Sequence, residues 1–70
     1  MTPEEAVLQV LAAADEPLHW TVILDRALRE GGIDPFATPD VRGVVQTTLR
    51  ALVADGRAIK VATGVYAAAG

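Results

Sequence analysis

Cysteine is absent from the seventy residues, which removes disulfide frameworks, thiolate metal clusters and cysteine nucleophiles together. Histidine occurs once, as His19. There is therefore no pair at metal-ligand spacing and no second imidazole to share general-base work. No apolar run approaches the roughly 20 residues a membrane-spanning helix needs, and the start carries Glu4 and Glu5 where a secretory signal wants bases. These absences point to a soluble, cytoplasmic protein with no membrane partner. Carboxylates do stand side by side at Glu4-Glu5 and Asp15-Glu16. Neighbours at a helix end point in different directions, however, and helix starts favour acids in any case. Gly31-Gly32 lacks the lysine and spacing of a phosphate-cradling loop and reads as a helix stop. No catalytic, metal-binding or cofactor-binding set emerges, so neither an enzyme, a cofactor nor a small-molecule substrate is expected.

Positive charge is also scarce, with six bases against nine acids and a net charge of -3. Its distribution matters more than its sum. Residues 1–40 hold eight acids and only Arg26 and Arg29, whereas residues 41–70 hold Arg42, Arg50, Arg57 and Lys60 against Asp55 alone. One basic face on an acidic body is compatible with a nucleic-acid partner even though the whole chain is acidic.

Three stretches carry helical period with readable ends. Thr2-Pro3-Glu4-Glu5 is a capping-box start, and Val7, Val10, Leu11 and Ala14 then share a face flanked by Leu8. This predicts a helix over 3–14, broken at Asp15-Glu16-Pro17, after which Leu18 can form a very short strand. The second helix is expected over 20–30, with Trp20, Ile23, Leu24, Ala27 and Leu28 inward. Asp25 with Arg29 and Arg26 with Glu30 make opposite-charge pairs four apart. In the loop that follows, Ile33 and Phe36 are expected to tuck into the core. The third helix is expected over 39–54, capped by Thr38, begun by Pro39 and stopped by Gly56.

At about 100° per residue, Val41, Val44, Val45, Thr48, Leu49 and Leu52 of this last helix fall on one side. Gly43, Gln46, Thr47, Arg50 and Ala54 fall opposite, with Arg42 on the flank. Arg42, Gln46 and Arg50 lie four apart and form a ridge, with small Gly43 and Thr47 beside them and no acid between Asp40 and Asp55. Long hydrogen-bonding side chains, no repulsive charge and little bulk are what a helix needs to enter the major groove.

After Gly56, Arg57 to Val61 alternates in a strand-like way with Ile59 and Val61 on one side. Val65 to Ala68 is a second strand-like run, joined to the first by a turn at Thr63-Gly64. The order predicts one domain over 1–70, α+β and mostly α: a winged helix-turn-helix of three helices plus a C-terminal β-hairpin wing. The shared core is expected to contain Trp20, Leu24, Leu28, Val45, Leu49, Leu52, Ile59 and Tyr66, and His19 is expected to be structural or merely exposed.

Pro17-Leu18-His19-Trp20, Ile23, Thr38-Pro39, the Val45 to Leu52 segment and Ile59-Lys60-Val61 through Gly64-Val65-Tyr66 resemble the HARE-HTH family over nearly the whole chain. The resemblance implies a winged helix-turn-helix of the kind found in chromatin regulators, restriction endonucleases and the delta subunit of bacterial RNA polymerase, and a DNA-binding or transcription-associated role. The expected partner is double-stranded DNA, which would place the protein at the nucleoid. The third helix would lie in the major groove with Arg42, Gln46, Thr47 and Arg50, Arg50 reading bases, while Arg57 and Lys60 of the hairpin meet phosphates. The alternative is a protein-interaction domain whose acidic N-terminal half holds a basic partner, such as a polymerase or nucleosome surface.

Overall fold

A computed structural model describes residues 2–30 and 32–69. The first helix, α1 (Pro3–Ala13), starts on the expected capping box. The Thr2 hydroxyl accepts from the Glu5 amide at 3.2 Å, and the Thr2 amide donates to Glu5 Oε1 at 3.2 Å. The bonds that Glu5 accepts from Thr2, backbone first and then side chain, hold its carboxyl below the ordinary carboxylate range. Ala14 already has extended backbone and ends the helix. Pro17 follows, and the chain passes into a two-residue strand, β1 (Leu18–His19).

His19 then caps α2 (Trp20–Arg29), its Nδ1 accepting from the Thr21 amide at 3.3 Å and lying 2.8 Å from the Thr21 hydroxyl. The neutral ring with its proton on Nε2 satisfies this arrangement. Of the two expected charge pairs on α2, Asp25–Arg29 closes at 3.0 Å. Arg26–Glu30 does not, and Glu30 is the C-cap, lying past the last helical residue. Gly31, half of the expected glycine stop, lies outside the described residues, while Gly32 donates back to the Ala27 carbonyl at 3.0 Å.

The third helix, α3 (Val41–Ala54), begins later than expected. Asp40 caps it, its carboxylate accepting from the Gly43 amide at 3.1 Å, so Thr38 is not the cap and Pro39 is not helical. Two good cap residues stand two positions apart, and the preceding turn decides between them. Asp34 accepts from the amides of Phe36 and Ala37, folding residues 34–37 tightly and delaying the start of the helix. At the other end the expectation holds. Gly56 has φ 75°, Gly56 donates to the Val53 carbonyl, and Arg57 donates to the Leu52 carbonyl, as in a Schellman stop.

Strands β2 (Ala58–Ala62) and β3 (Val65–Ala68) form a hairpin, and β1 pairs with β3, giving an antiparallel sheet of order β1-β3-β2. The fold is α+β and mostly α. Its hairpin is short and tied down at the tip, where the Gly64 carbonyl accepts from the Trp20 amide at 2.8 Å. A Cβ on Gly64 would lie 3.0 Å from His19 Nε2, so the turn is packed against the start of α2.

The core lies where the three helices meet under the sheet. Val7, Val10, Ile23, Val45, Leu49 and Leu52 are essentially sealed from solvent, joined by Leu11, Ala27 and Ile33. Tyr66 covers them from the sheet. Trp20, Leu24 and Leu28 pack against this cluster only half-buried, at its edge.

Two apolar expectations fail. Phe36 is 97% exposed, because the Asp34 turn carries it outward while Ile33 alone goes in. Ile59 and Val61 are exposed, and Ala58 takes the inward place. The register explains this inversion: Lys60 pairs with Tyr66, Ala58 with Ala68 and Ile59 with Ala67. Paired residues share a face, so Ala58 and Lys60 stand on the side of inward Tyr66 and Ala68, and Ile59 is turned to the other side.

Candidate functional site

The outward surface of α3 is not one face but two flanks, each set by what packs beside it. On the side toward the sheet, Arg50, Val53 and Ala54 meet Lys60 and Tyr66 around a groove of about 300 Å³. Helix period places Arg50 and Val53 on this flank, and the strand register turns Lys60 to the same face as Tyr66. Lys60 is exposed there. Arg42 and Gln46 continue the ridge toward the start of α3, Arg42 exposed and Gln46 half-buried.

On the other side, Gly43, Val44, Thr47, Thr48 and Ala51 meet Glu4 and Asp40 around a groove of about 450 Å³. This corrects the expectation of an acid-free surface: α3 contributes no acid, but the start of α1 brings Glu4 against it. Gly43 has a local reason as well, since a Cβ there would overlap the Asp40 carboxylate that caps the helix.

The six expected contact residues are therefore divided. Arg42, Gln46 and Arg50 line one ridge, and Lys60 joins Arg50 across the sheet-side groove. Thr47 is exposed but belongs to the flank with Glu4. Arg57 donates to Glu4 Oε2 at 3.5 Å, with both side chains about half exposed, so part of its charge is already answered.

Sequence reasoning placed Tyr66 in the core, and the structure also brings it to this groove. It is 9% exposed and lines the groove, and its hydroxyl has no hydrogen-bond partner among the described residues. Because no buried side-chain polar atom among the described residues is left unsatisfied, that hydroxyl is open to solvent. Its place on the shared face with Lys60 follows from the register, a long-range property with no local signal.

Among the described residues no group of three metal-ligating side chains occurs, and no helix is long and apolar enough to cross a membrane. Comparison with known proteins found no matching family model, no matching curated protein and no matching solved structure.

Proposed function

We propose that this domain binds double-stranded DNA as a winged helix-turn-helix module of transcription regulation or DNA targeting. In this reading α3 lies in the major groove and the β2–β3 hairpin lies along the backbone. The observation that carries this is the convergence of Arg50 and Lys60, from a helix and a strand, on one groove whose lining includes no acid. Arg42 and Gln46 extend that surface along the same ridge, giving two long hydrogen-bonding side chains to meet base edges. The resemblance to the HARE-HTH family points the same way. Net acidity does not oppose it, because the acids lie mainly in residues 1–40 and local potential governs the encounter.

Titration of a labelled duplex at two salt concentrations tests the proposal. With Arg57 engaged by Glu4, the free contacts are Arg42, Arg50 and Lys60, and log affinity should fall against log salt with a slope of about -3. No binding by the parent at low salt would overturn the DNA reading.

One observation favours a second reading, a protein-interaction domain that uses its acidic side. Phe36 stands 97% exposed on a turn held by Asp34, in a segment, residues 30–40, that holds Glu30, Asp34 and Asp40 and no Lys or Arg. An aromatic side chain presented on a hydrogen-bonded, acid-flanked turn suits a basic protein surface with an apolar pocket.

A further inference from the structure

We infer that Arg50, Lys60 and the Tyr66 hydroxyl form a seat for one backbone phosphodiester, making Arg50 an anchor of the DNA backbone rather than a reader of bases. The inference rests on the DNA reading and assigns roles within it. Arg50 and Lys60 are exposed, take part in no ion pair among the described residues, and border the same groove. Two cations around one concavity match a group that carries a full negative charge and several acceptor oxygens, and a base edge offers neither. Tyr66 supplies the independent observation. Its body is buried while it lines the groove, and its hydroxyl, without a hydrogen-bond partner among the described residues, is open to solvent and free to donate. Val53 and Ala54 complete the lining with apolar side chains, so no acid competes for the two cations there.

The geometry also divides the labour along α3. If the C-terminal half of the helix is fixed to the backbone through Arg50, base contact falls to its N-terminal half, where Arg42 and Gln46 lie on the same ridge. Arg42 and Gln46 then set sequence preference, and Arg50 and Lys60 set affinity without it.

The test uses the whole chain and labelled duplexes of several unrelated sequences, at about 50 mM and about 200 mM salt. Arg50→Ala and Lys60→Ala should each weaken binding to every duplex by a similar factor, about tenfold at the lower salt, and each should reduce the salt slope by about 0.9. Tyr66→Phe keeps the buried ring and should cost about threefold with the slope unchanged, because no charged contact is lost. Thermal melts followed by circular dichroism establish that each variant is folded. Loss at Arg50→Ala confined to one preferred duplex would make Arg50 a base reader and overturn the seat. Loss at only one of the two cations, or none at Tyr66→Phe, would also overturn it while leaving DNA binding intact. A parent that binds no duplex at low salt would overturn the seat and the proposed function together.

Discussion

The two flanks of α3 differ although one helix makes both. Between Val41 and Ala54 the helix contains two arginines and no acid, yet one flank is positive and the other is answered by carboxylates. On the sheet side its neighbours are Lys60 and Tyr66; on the α1 side they are Glu4 and the capping Asp40. The charge a helix presents is therefore a property of its tertiary neighbours as much as of its own sequence. A recognition surface drawn on a helical wheel is cut to half its width once those neighbours arrive.

Removing the support that the flanks share is the strongest way to break the comparison. Leu49 is sealed at 0% exposure on the buried face of α3, so Leu49→Ala should cost ~2 to 5 kcal/mol, a large part of what so small a domain can have. Urea unfolding monitored by circular dichroism reads it. A midpoint like the parent's would show that the buried face of α3 has been misassigned, and both flanks with it.

The hairpin decides which flank is positive. If Ile59 faced the core, Lys60 would turn away from α3 and the sheet-side groove would lose its second cation. Ala58 is 4% exposed and Ile59 49%. Ala58→Leu should therefore overpack the core and cost ~1 to 3 kcal/mol, whereas Ile59→Thr should stay within about 0.5 kcal/mol. The opposite ranking in denaturant midpoints would reverse the hairpin parity and dismantle the seat at Arg50, Lys60 and Tyr66.

This parity was the part of the site that could not be read from sequence. The helices were legible because their signals are local: Thr2 with Glu5, the 3.6-residue period of Val45, Leu49 and Leu52, and the left-handed Gly56. So was the ridge of Arg42, Gln46 and Arg50, which follows from spacing alone. A five-residue strand holds barely two repeats of its period, and apolar Ile59 and Val61 made the wrong face look like the inner one. Only pairing with Tyr66 settles it. Phe36 failed for a similar reason, since an apolar loop residue is buried or not according to where its turn points. The contact between Glu4 and Arg57 spans 53 residues, beyond the reach of any motif.

A smaller effect separates the two caps competing for the start of α3. Asp40→Ala removes the acceptor for the Gly43 amide and should cost ~1 kcal/mol, while Thr38→Ala should change stability by less than about 0.5 kcal/mol. Gly43→Ala should fail to gain the usual ~1 kcal/mol of helix propensity, because the new methyl group displaces the capping carboxylate. Equal losses at Thr38 and Asp40 would mean that the first turn frays back toward Pro39, moving the acidic rim of the α1-side flank.

The smallest expected change sharpens the comparison most directly, by making the two flanks alike. Glu4 and Arg57 are about half exposed and 3.5 Å apart, so their pairing contributes little to stability and Glu4→Gln should leave the melting temperature nearly unchanged. Its effect should appear in binding. The substitution removes an acid from the α1-side flank and releases Arg57 as a fourth free cation beside α3, so duplex affinity at low salt should rise by about twofold or more and the slope should steepen by up to about 0.9. Glu16→Gln, in the exposed turn after α1, makes the same change in net charge without freeing Arg57. It should raise affinity slightly through the overall field and leave the slope alone. If the two variants gave the same slope, Arg57 would not reach the backbone, and the difference between the flanks would rest on Lys60 and Arg50 alone.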